Sequence, residues 1–168
     1  KENSMDPAHL EYLHTIVPGM GFSSDFGSNA ELDFMESPCG IIYMSTRRVG
    51  DKVWVRISDL LPPNMHQFPP QEDVEEKKEL ARPRMTIWAV PVDDTHTQIL
   101  IVRHIRESEP PSESINFGQT GDRPYKERQL GPEDYDAQTS QRPIAIHGLE
   151  HLASTDRGVT LFRRVIRR

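Results

Sequence analysis

The fold of this chain is set by the stretch TRRVGDKVWVR, residues 46–56. Its middle residues, Val49-Gly50-Asp51-Lys52, have the composition of a tight turn between two runs that favour β-strands. A turn in this setting predicts a β-hairpin. Pro62-Pro63 ends the hairpin's second strand, because proline donates no backbone hydrogen bond. With the partial alternation of apolar residues, the predicted antiparallel strands here are Glu31–Glu36, Gly40–Arg48 and Lys52–Leu61.

A second hairpin is predicted further along the chain. Asp93-Asp94 separates two runs that favour strands, Arg84–Val92 and Thr95–Ile105. Helical patterns fall outside both hairpins, over Pro70–Ala81 and again from about Pro132. Strands joined in hairpins, with helices outside the ladder, predict an α+β fold built on an antiparallel sheet.

The remaining segments have loop or mixed composition. Glycine, serine and proline predict loops over Pro18–Asn29 and Glu107–Pro124. Val159–Ile166 is compatible with a last strand or a helix. The basic run Arg163–Arg168 is interpreted as the solvated edge of a terminal strand.

Bulk properties bound the class of protein. The 168 residues suit one domain with a core, and 35% hydrophobic with 27% charged residues is typical of a globular chain. A net charge of −6 argues against nucleic acid as the main partner. No apolar run is long enough to cross a membrane. The single cysteine, Cys39, excludes an internal disulfide and suits a reducing compartment, so a cytoplasmic location is expected.

Two histidines lie close together near the start of the chain, in the stretch DPAHLEYLH, residues 6–14. Neutral imidazole binds iron, zinc and copper, and two imidazoles with one carboxylate form the facial triad of non-haem iron oxygenases. Pro7 suits the first turn of a helix and Asp6 its N-cap. On a regular helix His9 and His14 point about 140° apart, so a shared ion requires a π-bulge or a wide-angle approach. The alternative is a capped helix with two unrelated histidines.

Two stretches near the other end carry a candidate third ligand. They read GPEDYDAQTSQRPI, residues 131–144, and LEHLASTDRGV, residues 149–159. Gly131 and Pro132 precede a predicted helix, so Asp134 projects from its first turn, where negative charge is favourable. Asp136 is the nearest rival ligand.

Together these stretches resemble the catalytic domain of Rieske non-haem iron oxygenases, the aromatic-ring-hydroxylating oxygenase α subunits. Residues 46–56 and 88–97 also look like sheet segments of the phthalate dioxygenase and vanillate demethylase branch. The resemblance implies that His9, His14 and Asp134 bind a mononuclear Fe(II). It implies that Asp6 orients a metal-bound histidine and bridges to the Rieske cluster of a neighbouring subunit in a ring of three. Asn3 falls near the family's pocket.

The remaining histidines are given no metal role. We expect three of them on loops or strand faces, and we expect His151 to be structural because it belongs to the Glu-His-Leu block. The residues concerned are His66, His96, His104, His147 and His151.

The family's fold would be a helix-grip fold, in which a curved antiparallel sheet wraps a long helix. A Rieske [2Fe–2S] cluster needs two cysteines and two histidines, and this chain has one cysteine. Residues 1–168 are therefore expected to be a catalytic-domain fragment, incomplete at both ends, with the cluster domain N-terminal of it. Such a fragment is expected to be inactive alone.

The implied function is that of the oxygenase component of a multicomponent Rieske system. It would activate O2 to hydroxylate or O-demethylate a small aromatic substrate, using electrons from an NAD(P)H-dependent reductase or a ferredoxin. Ile146-His147 stands where better-known members have Asp-Arg, which leaves the subfamily and substrate open. The alternatives are a zinc hydrolase with the same ligands, although no His-Glu-x-x-His is present, and a non-catalytic helix-grip ligand-binding domain.

Overall fold

Six strands form one antiparallel sheet in which each strand pairs with the next along the sequence. The computed structural model describes residues 2–6, 9, 30–69, 83–105, 107 and 123–168. The strands are β1 (Glu31–Ser37), β2 (Gly40–Val49), β3 (Lys52–Leu61), β4 (Met65–Phe68), β5 (Met85–Pro91) and β6 (Thr97–Arg103). This antiparallel sheet and the α+β class confirm the coarse fold prediction.

The hairpin predicted from residues 46–56 joins β2 to β3. Val49 pairs with Lys52, which leaves Gly50 and Asp51 as the turn, and Gly50 has a φ of +61°, in the left-handed region that glycine tolerates. The second predicted hairpin joins β5 to β6, where one oxygen of Asp93 accepts the backbone N–H groups of Thr95 and His96. Turn chemistry thus sets both registers.

Among the described C-terminal residues, 123–168, there are three α-helices: α1 (Tyr125–Leu130), α2 (Asp134–Ser140) and α3 (Arg157–Ile166). The prediction of a strand edge for Arg163–Arg168 was wrong, because α3 runs through Ile166 and its residues Val159 and Phe162 are buried at a helical spacing. Helix α1 was not predicted either, since its sequence YKERQL has no apolar periodicity.

Parts of the fold prediction stay predictions. Among the described residues the longest helix is the ten-residue α3, so the long helix of a helix-grip fold is not shown. The predicted helix Pro70–Ala81 and the loop Pro18–Asn29 lie outside the described residues, as does most of Glu107–Pro124. No described helix combines the length and apolar character needed to cross a membrane.

One face of the sheet carries the core. Helix α3 and a short N-terminal 3₁₀ helix, Glu2–Met5, cover this face beside β1, β2 and β3. The buried residues of this core are Met5, Ile41, Tyr43, Leu60 and Phe162, with Phe34, Leu161 and Val165 packed against them. The N-terminal segment that leads to His9 is therefore anchored in the same core as α3.

The Asp-Arg-Gly sequence at the start of α3 attaches this helix to β1. A Cβ atom added at Gly158 would lie 2.3 Å from Cε1 of Phe34, so only glycine allows this close approach. The Arg157 guanidinium donates a hydrogen bond to the carbonyl oxygen of Leu32 and lies 5.7 Å from the centre of the Phe34 ring. Arg157 and Gly158 therefore pack the start of α3 against β1.

Candidate metal site

Two of the predicted ligands meet in the structure. Nε2 of His9 lies 2.5 Å from Oδ1 of Asp134, and 125 residues separate the two along the chain. Both side chains are largely shielded from water, with exposed fractions of 10% and 21%. The fold thus brings an imidazole from the N-terminal segment against a carboxylate of α2.

This pair fits the donor set of a non-haem iron site. Ligand atoms about 2.1 Å from one ion and at right angles to each other lie about 3 Å apart, close to the distance between these two atoms. Imidazole and carboxylate are also two of the three ligand types in a facial triad.

The first turn of α2 fixes Asp134. Glu133 is the N-cap of this helix, and its backbone N–H donates to Oδ2 of Asp136 at 3.0 Å. This hydrogen bond satisfies a backbone donor at the start of the helix. Asp134 is therefore the first helical residue, as the sequence predicted, at the end where the helix dipole favours negative charge.

The rival ligand Asp136 is held by two guanidinium groups. Nη2 of Arg123 donates to one carboxylate oxygen at 2.8 Å and Nε of Arg128 donates to the other at 2.5 Å. Desolvation alone would raise the pKa of Asp136, but hydrogen bonds from Arg128 and from the Glu133 backbone bring it below its usual value. Both oxygens are committed to arginine, which favours Asp134 over Asp136 as the ligand.

The other predicted site residues lie in or beside the N-terminal segment. His9 is helical, Asp6 is half-buried, and Asn3 lies in the N-terminal 3₁₀ helix. His14 lies outside the described residues. Within the residues that are described, no three histidine, cysteine, aspartate or glutamate side chains converge as a metal-binding group.

The remaining histidines lie on or beside strands, in a turn and in the C-terminal stretch. His66 is buried on β4, with its ring centre 3.6 Å from that of Phe68. Nε2 of His104 is 2.8 Å from Oγ1 of Thr86, just beyond β6. His96 lies in the β5–β6 turn, and His147 and His151 are exposed near Glu150.

A buried polar cluster on the core face of the sheet was not predicted. Cross-strand pairs on β2 and β3 place Ser45 beside Arg56 and Arg47 beside Trp54. Arg47 is 2% exposed, and both guanidinium groups lie within 6 Å of the Trp54 ring centre, at 5.8 and 5.5 Å. Burial lowers the pKa of Arg56. The sequence signal for this cluster is that Tyr43, Ser45 and Arg47 alternate along β2 and so lie on one face of the sheet.

Fold and site together define an α+β protein whose antiparallel sheet supports a shielded histidine–carboxylate pair. No protein-family model matches the chain. Two curated relatives do match it. The chain is 36% identical to the "Tert-butanol monooxygenase / tert-amyl alcohol desaturase oxygenase subunit" of Aquincola tertiaricarbonis, over 99% of this chain and 40% of the relative. It is 32% identical to the "Phenoxybenzoate dioxygenase subunit alpha" of Ectopseudomonas oleovorans, over 97% of this chain and 39% of the relative.

The chain thus spans about two fifths of the length of each relative it matches. Both relatives are oxygenase subunits, one of a monooxygenase and one of a dioxygenase. The similarity to these two oxygenase subunits extends over nearly all of the chain. Membership of the Rieske oxygenase family, and the branch within it, stay predictions.

Proposed function

We propose that this chain is part of the catalytic domain of the oxygenase component of a multicomponent Rieske system. The contact between His9 and Asp134 carries the proposal, because it joins two predicted iron ligands that are 125 residues apart. The similarity to two oxygenase subunits supports the same function independently of this geometry.

His9, His14 and Asp134 would hold Fe(II), which supplies the open coordination positions for O2 activation when it is bound. The side chains of His9 and Asp134 are only 10% and 21% exposed, so the surrounding protein keeps most bulk water away from them. Asp6 would accept the second ring N–H of a ligand histidine and so fix its tautomer. By the family resemblance, Asp6 would also bridge to the Rieske cluster of the neighbouring subunit in a homotrimer.

The [2Fe–2S] cluster is proposed to lie outside these 168 residues. It requires two cysteine ligands, whereas the sequence has only the exposed Cys39 in the β1–β2 turn. Electrons would reach that cluster from an NAD(P)H-dependent reductase or a ferredoxin in the cytoplasm.

The substrate is proposed to be a small organic molecule, with an aromatic acid or ether as the first choice. The name of one relative specifies phenoxybenzoate, an aromatic acid, and the name of the other specifies tert-butanol, an aliphatic alcohol. Both aromatic and small aliphatic substrates therefore belong in the screen, for hydroxylation and for O-demethylation.

The deciding experiment is anaerobic Fe(II) titration by calorimetry, with metal analysis, on the intact protein. We expect one mononuclear Fe(II) in addition to the cluster, and loss of this iron in His9→Ala, His14→Ala and Asp134→Ala. His151→Ala is the matched control, because this histidine is exposed and is not one of the proposed ligands. Retention of the mononuclear iron in Asp134→Ala, or its absence from the parent protein, would refute the proposed ligand set.

A second measurement distinguishes the proposed oxygenase from a zinc hydrolase with the same three ligands. The oxygenase proposal requires substrate-dependent O2 consumption by the iron-loaded protein with reductase and NAD(P)H. Zinc-loaded protein that hydrolyses substrate without consuming O2 would favour the hydrolase instead.

A further inference from the structure

One arginine of α3 joins three separate parts of the chain. Nε and Nη2 of Arg163 donate to the two carboxylate oxygens of Glu2 at 2.5 and 2.6 Å. Nη1 and Nη2 of the same guanidinium donate to the two oxygens of Glu150 at 2.5 and 3.1 Å. Arg163 therefore makes a two-pronged contact with each carboxylate, the geometry in which arginine pairs are strongest.

The contact lies in a shielded position. The Arg163 side chain is 16% exposed, and the Glu2 and Glu150 side chains are 39% and 27% exposed. The hydrogen bonds that Arg163 donates to Glu2 and to Glu150 raise the pKa of Arg163, and the bond from Arg163 lowers the pKa of Glu150. This contact is less exposed than the ion pairs of Arg164 and Arg168 with Glu36, in which the arginine side chains are 61% and 59% exposed.

Glu2 leads directly to the candidate metal site. It begins the N-terminal 3₁₀ helix, whose last residue, Met5, is fully buried in the core. Four residues further on, His9 contacts Asp134. Since four residues span at most about 14 Å, a fixed Met5, which packs against Phe162 of α3, limits how far His9 can lie from this helix.

We propose that Arg163 is a positioning residue for the metal site, which holds Glu2 so that the following segment presents His9 to Asp134. Glu150, on the other side of the guanidinium, fixes Arg163 itself. The iron-binding part of this inference rests on the proposed function. The positioning part rests only on contacts within the chain.

Lysine cannot replace Arg163 in this role. Its ammonium is a point charge, whereas the planar guanidinium offers five donors that match two carboxylates at once. The Arg163→Lys variant would keep the charge and lose the two-pronged contact to Glu2. A role limited to attaching α3 would instead depend on Glu150 as much as on Glu2.

The test uses four variants of the intact protein: Glu2→Gln, Arg163→Lys, Glu150→Gln and Arg164→Lys. Glu2→Gln is nearly isosteric and changes a partly exposed side chain, so it preserves folding. Arg164→Lys is the matched control, because Arg164 is the adjacent arginine of α3 and is 61% exposed. Two quantities are measured: the Fe(II) dissociation constant, and hydrogen–deuterium exchange of the metal-free protein in peptides covering residues 2–9 and 157–166.

We expect Glu2→Gln and Arg163→Lys to weaken Fe(II) binding roughly tenfold, the low end for residues that orient metal ligands. Exchange should rise in residues 2–9 and stay unchanged in residues 157–166 for Glu2→Gln. Glu150→Gln should weaken Fe(II) binding less than Glu2→Gln does, and Arg164→Lys should change neither quantity.

The outcomes separate this inference from the proposed function. If the parent protein binds Fe(II) and Glu2→Gln binds it equally well, the positioning role is overturned and the proposed function stands. If the parent binds no mononuclear Fe(II) but Glu2→Gln still raises exchange in residues 2–9 alone, the positioning role stands and the proposed function fails. Unchanged exchange in such a protein would overturn both.

Discussion

The Asp136 carboxylate accepts a hydrogen bond of 2.5 Å from Nε of Arg128, although the two residues belong to different helices. Arg123 binds the second oxygen of the same carboxylate and also donates to the carbonyl oxygen of Gly131 at 3.1 Å. Asp136 therefore ties α1 and the segment before it to the first turn of α2. Asp134 is the first residue of that turn. Asp136 therefore holds the turn in place, while Asp134 presents its carboxylate to His9.

We predict that Asp136→Asn lowers the melting temperature by a few degrees, since it removes a charged partner of two arginines and weakens the hydrogen bond from the Glu133 backbone. Mononuclear Fe(II) stoichiometry should remain at one, because Asp134 and not Asp136 is the proposed ligand. Differential scanning fluorimetry and metal analysis provide the two readouts. Loss of iron in Asp136→Asn, with retention in Asp134→Asn, would reverse the assignment of the two carboxylates.

The ion pairs predict a pH dependence of stability. Desolvation opposes ionisation of Asp136, but its hydrogen bonds prevail and the folded pKa lies below the usual 3.8. The hydrogen bond from Arg163 holds the folded pKa of Glu150 below the usual 4.5. A carboxyl with a depressed pKa stabilises the fold above its unfolded pKa and loses this contribution as the pH falls. Stability is therefore expected to be level above about pH 5.5 and to fall from about pH 4.5 downward.

The measurement is urea unfolding of the metal-free protein at pH 7, 5 and 4. Asp136→Asn and Glu150→Gln should each flatten the decrease between pH 5 and pH 4, because the titrating group is gone. Asp33→Asn is the control, since this carboxylate is 68% exposed. An equally steep decrease in Asp136→Asn and Glu150→Gln would assign the acid sensitivity to other carboxyl groups.

Most of the sheet was predictable because strand signals and turn signals agreed. The predicted strand Lys52–Leu61 has the observed bounds of β3, and the predicted bounds of β1 and β2 differ by one residue at one end. Strand β4 was missed, because its four residues, MHQF, are too few to establish an alternation. The sequence of α3 is compatible with a strand or a helix, because the β-branched valines at 159 and 165 favour strands locally. Packing against the core stabilises the helix instead.

The candidate site was predictable only in its parts. The first-turn position of Asp134 followed from local sequence, but its contact with His9 depends on how distant segments pack, which no local pattern encodes. The family resemblance supplied that pairing. The contact of Arg163 with Glu2 spans 161 residues, and the sequence had suggested only a solvated basic run there. Local sequence patterns predict secondary structure and the positions of charged residues. Contacts between residues far apart in the sequence, such as Arg163 and Glu2, depend on the tertiary fold.

The start of α3 provides a prediction about packing. In Gly158→Ala the new methyl group would meet the Phe34 ring at 2.3 Å, so helix and strand must separate. We expect a loss of about 1–3 kcal/mol in the free energy of unfolding, as for other overpacked sites. Gly148→Ala is the control, because no atom lies within 4 Å of the Cβ position there. Combining Gly158→Ala with Phe34→Leu should recover part of the loss, and an unchanged stability in Gly158→Ala would contradict the close approach.

Removing the largest core side chain of α3 tests whether this helix holds the sheet and the N-terminal segment together. Phe162 is 5% exposed and packs in one cluster with Met5, Tyr43 and Leu60. Phe162→Ala is expected to lower the free energy of unfolding by about 3–5 kcal/mol, measured by urea denaturation, because it leaves a cavity. Ile166→Ala, on the same helix and 47% exposed, should cost clearly less. Since Met5 shares the cluster, exchange protection of residues 2–9 should fall in Phe162→Ala, and equal effects of the two variants would mean that α3 does not anchor this segment.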